Sequence, residues 1–356
     1  MGNPPVRTLT LGIEQRHPLA FDTIQWADTL LRQASARYLE AGYEVQTVRL
    51  STRPVFDDLA DWTDARLLGY VLELQRMLDD VGLAFCSIGP AQAARASFPL
   101  QRIDVIADLL AATTAINATV QLATPEDGLR SEAALSCAQV MQRLSRETRE
   151  GFGNFRFAAL ACVAPGSPFF PAAYHDGRAS LSIGVQGAGV ITGALQSYRE
   201  GNGDTTDLTS ITGCVRNALF ETLAPVVKIG RELATEWQIG FGGIDLSPAP
   251  LGEDSIAAAL EVLGDGLIGS PGTLALAAAL TSAIKSTALP TCGYCGLMLP
   301  VLEDAVLGKR WEQGTVTTHQ LLLYSAVCGT GLDTIPLPGD MEAREIARLL
   351  LDVAAL

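Results

Sequence analysis

The residues best placed to do chemistry come late in the chain, where Leu321-Leu-Leu-Tyr-Ser-Ala-Val-Cys328 leads into Gly329-Thr-Gly331 and then Asp333 and Asp340. The run up to Cys328 reads as a helix, and Gly329 and Gly331 let the backbone turn through positive φ with its amides uncovered. Pro336 and Pro338 stiffen the next segment, so a thiol, open amides and two carboxylates are gathered on backbone with little freedom. Cys328 could serve as nucleophile or acid/base group, with the Gly329 and Gly331 amides as an anion nest and His175 as its base if the fold brings it near. A helix pointing its partly negative end at the sulfur works against an unaided nucleophile. The bland alternative is a glycine-capped helix and a tight loop.

Carboxylates form a second constellation. Asp245 ends Gly242-Gly-Ile-Asp245, Glu303 and Asp304 follow Leu299-Pro-Val-Leu302, and Asp333 follows the double-glycine turn. Each closes an apolar element, where α/β proteins place functional side chains. If they converge, Asp245, Asp304 and Asp333 could hold Mg²⁺ or Ca²⁺, and Glu303 with Asp333 could move protons. Taken singly, Asp245 and Glu303 read as helix caps. Gly269-Ser270-Pro-Gly272-Thr273 opens an alanine-rich helix with amides that suit an anionic group, but it lacks the lysine and spacing of a P-loop. Lys285 ends that helix and would neutralise an anion or form a Schiff base, snorkelling being its ordinary reading. Gly184 to Gly189 lacks the acidic partner of a dinucleotide fingerprint, so no nucleotide cofactor is indicated. Cys292-Gly-Tyr-Cys295 has redox spacing, yet Pro300 follows and no second pair completes a zinc site, which favours two packed thiols in a glycine turn.

The elements that must position these groups alternate through the first half. Strands are expected at 7–13, 43–50, 83–88 (stopped by Gly89-Pro90), 117–122 and 155–163, and helices after a cap at Asp22 and at 63–81, 100–112 and 131–144. Such alternation predicts βαβ units and a largely parallel sheet. Ala164-Pro-Gly-Ser-Pro-Phe-Phe-Pro171 then forms a rigid loop carrying Phe169, a candidate substrate contact, with Tyr174-His175 directly after it. The polar loop Gly201 to Asp207 opens a long helix to about Trp237, followed by a strand at 239–244 and helices from Ser255 and Thr273. Nothing in this pattern marks a linker, so residues 1–356 read as one α/β domain.

The 356 residues are 48% hydrophobic and 18% charged, with a net charge of −14, a compact soluble composition that repels nucleic acid and anionic membranes. Lysine occurs only at 228, 285 and 309. Seven cysteines scattered through apolar segments suit a reducing cytoplasm, and no stretch is long and apolar enough for a membrane span.

Five stretches carry a resemblance: Pro168-Phe-Phe-Pro171, Phe241-Gly-Gly-Ile-Asp-Leu-Ser247, Gly269-Ser-Pro-Gly-Thr273, Gly296-Leu-Met-Leu-Pro-Val-Leu-Glu-Asp304 and Tyr324-Ser-Ala-Val-Cys-Gly-Thr-Gly-Leu-Asp333. On these the chain, from about Arg7 to its end, resembles the uncharacterised family called domain of unknown function 711. The resemblance implies the fold of the pyruvate formate-lyase group: a large α/β barrel of two half-barrels, helices outside, with an interior site where loops meet. Glycyl radical chemistry does not carry over, because the signature Arg-Val-x-Gly-Tyr has no counterpart after Asp340. The Cys292 and Cys295 pair departs from the family's glycine and aromatic turn. Relatives of the family are found beside small ACT-domain proteins, so the resemblance implies an amino-acid-linked regulatory partner.

Together these readings predict a cytoplasmic lyase or hydrolase for a small carboxylate-bearing metabolite, using Cys328, Asp333, Glu303 and His175. Gly269, Ser270, Gly272, Thr273, Gly329, Gly331, Phe169 and Lys285 would contact the substrate. A non-catalytic metabolite sensor working with an ACT-domain-type partner is the rival, and self-association stays open.

Overall fold

The structure, a computed structural model, describes residues 3–203, 207–263 and 266–356. Its centre is β1 (Val6–Gly12), where Thr8-Leu-Thr-Leu11 alternates polar and apolar side chains. Parallel to it lie β2 (Val48–Ser51), β3 (Cys86–Ala91), β4 (Ile116–Thr124) and β6 (Phe157–Ala161), with the short β5 (Gly128–Leu129) antiparallel to β4. On the other side of β1, β7 (Ser180–Val185) pairs antiparallel and β8 (Gly240–Asp245) pairs parallel to β7. The result is an eight-stranded mixed sheet, ordered β5-β4-β3-β2-β1-β7-β8, with β6 also on β4.

The expectation of a largely parallel sheet is therefore corrected at β7. The long loop from 162 to 179 is not a crossover helix, so the chain returns beside β1 in the opposite direction. This reversal matters for the site. It carries the C-terminal end of β8 to the N-terminal half of β1, since Gly184 pairs with both Thr8 and Asp245.

Paired residues share a face of the sheet. Thr10 faces Arg49 and Ser182, Ser51 faces Ser87, and Ser87 faces Asn117, which lays these polar side chains on one surface. Leu9, Leu11, Leu50, Cys86, Ile116 and Ile183 occupy the other, fully buried against helices. The covering helices include α1 (Phe21–Glu40), α3 (Asp64–Val81) after the single-turn α2 (Val55–Asp58), α4 (Val105–Ala111) and α5 (Glu132–Glu147). The later helices are α6 (Ala188–Asn202), the 29-residue α7 (Leu208–Glu236), α8 (Ile256–Val262), α9 (Thr273–Lys285), α10 (Ala305–Glu312), α11 (Thr318–Cys328) and α12 (Ala343–Ala355). One hydrophobic core runs from Val6 to Ala347.

Several boundaries move for identifiable reasons. Asp22 lies inside α1 and does not cap it; Ala20 occupies the cap position without a side-chain bond. Gly89 and Pro90 do not stop β3, because Gly89 at φ +75° forms an irregularity that lets Pro90 rejoin opposite Thr119. The strand expected at 43–50 is only Val48–Ser51, and the 100–112 helix divides into a 3₁₀ turn and α4. Asp207 caps α7 through the Thr209 and Ser210 amides, while 204–206 of the expected polar loop lie outside the described residues.

Candidate functional site

The polar face of the sheet is buried, so something must cover it. Thr10 Oγ1 donates to the Pro168 carbonyl at 2.8 Å and pins the proline-rich loop over β1. Phe169 then lies on Gly184, where an added Cβ would come within 2.8 Å of the ring, and joins Ala249, Met298 and Tyr294 in a small apolar cluster. Phe170 meets Phe85 edge to face at 6.5 Å, and the Arg49 guanidinium sits in the corner, 5.2 Å from each ring centroid. Burial, reinforced by nearby Arg7, pulls Arg49 down to about 10, with Glu303 opposing, which leaves it cationic at neutral pH.

Beside Arg49 the end of β8 and the last loops bring carboxylates to the start of β1. Arg7 pairs with Glu303 at 3.1 Å and donates to Gln46; Gln46 donates to Gln186, which donates to Asp254. Asp333 stands within electrostatic reach of Glu303 and Arg7, with no hydrogen-bond partner among the described residues. It touches solvent yet is ringed by protein. Burial, then the Glu303 charge, pushes its carboxyl up to about 7, with Arg7 opposing. Tyr294 is near enough to feel Asp333 and Asp245, and burial followed by those charges raises its phenol. Asp333, Glu303, Arg7, Tyr294 and Arg49 thus form one recessed cluster of mixed charge, able to bind an anion and to hold a proton near neutral pH.

The other expected residues have different surroundings. Asp245 is fully buried and accepts from Ser247 N and Oγ and from the Tyr294 and Cys295 amides, at 2.7 to 3.0 Å. Burial raises its carboxyl and those four donors oppose the rise. Its role is to shape the 292–296 turn, in which Cys292 and Cys295 stay unjoined. Asp304 accepts from Ser255 Oγ, the Ala257 amide and the Leu307 amide, so it ties the starts of α8 and α10 together. The metal set Asp245, Asp304 and Asp333 is therefore not assembled: the first two have spent their oxygens on protein donors, and among the described residues no three His, Cys, Asp or Glu side chains converge on a cation position.

Cys328 is 1% exposed, 2.9 Å from Thr330 Oγ1 and 3.7 Å from the Leu297 carbonyl. Its thiol fastens the loop carrying Asp333 to the Gly296–Met298 segment. Gly329 caps α11 in the left-handed region and gives its amide to Ser325, so that amide is not free; Gly331 turns beside Val353.

His175 sits over Gly12, with its amide on the Thr52 carbonyl and Nε2 on Arg178 O; burial lowers its pKa. Gly12 is about 16 Å along β1 from Arg7 at ~3.3 Å per residue, so His175 lies at the other end of the strand. There His17, pulled down to about 4 chiefly by burial, bonds Tyr70 and Thr52. Gly269 to Thr273 packs on α11 instead: Gln320 bonds the Gly269 carbonyl, Thr273 bonds Ser270, and Lys285 at the far end of α9 is exposed.

A sequence profile described as "Uncharacterised ACR (DUF711)" matches residues 2–356. The chain belongs to this family. Similar proteins called UPF0210 protein occur in Neisseria meningitidis serogroup A (28% identical, 99% of this chain and 82% of the relative) and Pyrobaculum aerophilum (30%, 99% and 81%). Another, from Methanococcoides burtonii, is 26% identical over 99% of this chain and 82% of its own length.

Sequence reasoning missed Arg7, Arg49, Tyr294, Phe85 and Phe170. A signal existed for Arg49. The alternation Arg49-Leu-Ser51, Ser87-Ile88 and Asn117-Ala-Thr119 marks polar residues on the second face of strands expected to be covered on both sides. That pattern points to a polar interior.

Proposed function

We propose that this member of the family is an enzyme of lyase or hydrolase type acting on a small carboxylate-bearing metabolite at the Asp333 cluster. The observation that carries the reading is Asp333 itself, a carboxyl poised near neutrality beside an ion-paired Glu303 and an arginine. A group with a pKa near the working pH holds and releases a proton at least cost, which is what a general acid or base needs. Tyr294 would orient the reacting group, Phe169 would exclude water, and Cys328 would position the loop. The finer fold in this proposal is a pyruvate formate-lyase-like barrel of two half-barrels. The opposed directions of β1 and β7, and the single bridge of Ile244 to Thr291 beyond β8, support it.

Mg²⁺ or Ca²⁺ fits poorly here, since Glu303 is already held by Arg7 and a second arginine stands beside it. No step is assigned to a metal. The sensor reading, with an ACT-domain-type partner, is favoured by one observation: Cys328 is buried and hydrogen-bonded, leaving the cluster with binding groups but no open nucleophile.

The test is incubation of the protein with small hydroxy-, keto- and amino-carboxylates, followed by NMR. Conversion by the native protein, lost by about a hundredfold or more in Asp333→Asn, is the expected result. Conversion undiminished in Asp333→Asn would remove Asp333 from the chemistry, and binding without conversion would favour the sensor.

A further inference from the structure

We propose that Arg49 is the residue that receives the carboxylate of the ligand. This deepens the reading above and rests on it for the class of ligand, but it stands on separate observations. Arg49 is 8% exposed on the polar face of the sheet, and only its Nε has an acceptor, Thr47 Oγ1 at 3.0 Å. The two terminal nitrogens have none among the described residues. Glu303 is close enough to be felt, but one of its oxygens is taken by Arg7 and neither bonds Arg49 among the described residues. A guanidinium largely withdrawn from water with no carboxylate bonded to it is unfavourable, and its two open nitrogens suit an anion.

The setting also fixes direction. Thr47 holds Nε while Phe85 and Phe170 meet at 90° around the cation, so both rings and the hydroxyl hold it against rotation. What remains unused is the pair of terminal nitrogens, the part of an arginine that grips two coplanar oxygens. Thr10 holds the Pro168 carbonyl two residues before Phe170, so the subsite is built by one loop and the neighbouring strands. A two-oxygen planar anion fits this edge, and the Asp333 cluster lies beside it to act on the rest of the molecule.

The experiment measures binding without turnover, so its failure and the failure of the catalytic reading are separable. Melting temperature and calorimetric titration are followed for native protein, Arg49→Lys and Arg49→Met with acetate, malonate and succinate, and with inorganic phosphate, at ionic strength matched with chloride. Native protein is expected to gain stability with a carboxylate. Arg49→Lys, which keeps the charge but loses the fork, should bind roughly tenfold or more weakly. Arg49→Met should lose the response while melting no lower in chloride, because an unpaired buried charge has been removed; a lower melting point would mark Arg49 as a structural residue and overturn the proposal. No carboxylate response in the native protein, an undiminished response in Arg49→Lys, or a preference for phosphate would each overturn it as well. An Arg49→Met protein that does not fold is the extreme of that lower melting point and would overturn the proposal too.

Discussion

Asp333 and Arg49 show how the same low-polarity recess acts oppositely on an acid and a base. Burial disfavours charge, so it raises Asp333 and lowers Arg49. For Asp333 the consequence reaches stability. The folded chain keeps the proton up to about pH 7, whereas the unfolded carboxyl releases it from its ordinary value of 3.8. That contribution is fully present below the unfolded value and is lost as pH rises through about 7. Solvent contact weakens the effect, and half of the shift surviving would be about 2 kcal/mol. Urea unfolding across this window should therefore show a decline in native protein, while Asp333→Asn, which cannot ionise, should show a flatter profile and greater stability at about pH 8. Equal slopes would mean that the carboxyl is not perturbed. Glu303, Arg7 and Tyr294 face Asp333, so the comparison is between variants at each pH. At this scale the sequence already pointed to Asp333 and Glu303, because both end apolar runs; Arg49 was marked only by the polar alternation of its strand and Arg7 not at all, since their partners come from strands and loops remote in the chain.

At the scale of elements, the site depends on joints between short helices. Asp304 accepts three hydrogen bonds and is 1% exposed, holding the beginnings of α8 and α10 against each other next to Glu303. Asp304→Ala leaves Ser255 Oγ and two buried amides without partners, and should destabilise by about 3 kcal/mol. Denaturant titration checks the loss, and Asp304→Asn should restore part of it; an unchanged midpoint in Asp304→Ala would show the joint to be dispensable. The helices themselves were legible from periodicity and from caps such as Thr63, Asp207 and Ser255. Boundaries at Asp22 and Gly89-Pro90 were not, because the chain's tertiary pairing overrode the local preference.

Across the whole molecule, the N-terminal strand β1 is sandwiched between β2 and β7, so residues 6–51 and 180–245 share one sheet and one core. Such a chain should unfold in a single cooperative transition, with fluorescence and far-ultraviolet dichroism coincident. Two separated transitions would instead divide it into independent units. The sequence by itself determined the mixed α/β character, the alternating strands and helices, the family, and the segments 296–304 and 324–333 that carry the candidate groups, because these depend on local periodicity, turn chemistry and contiguous motifs. Only the tertiary structure decided which candidate groups meet. Reversal of β7 against β1 sends the end of β8 to Arg7 and leaves His175 at the opposite end of β1, and the loop at 168–171 closes Phe170 on Arg49 against Phe85. Those encounters join residues up to 296 positions apart, and their charges acquire meaning only when burial removes the water between them.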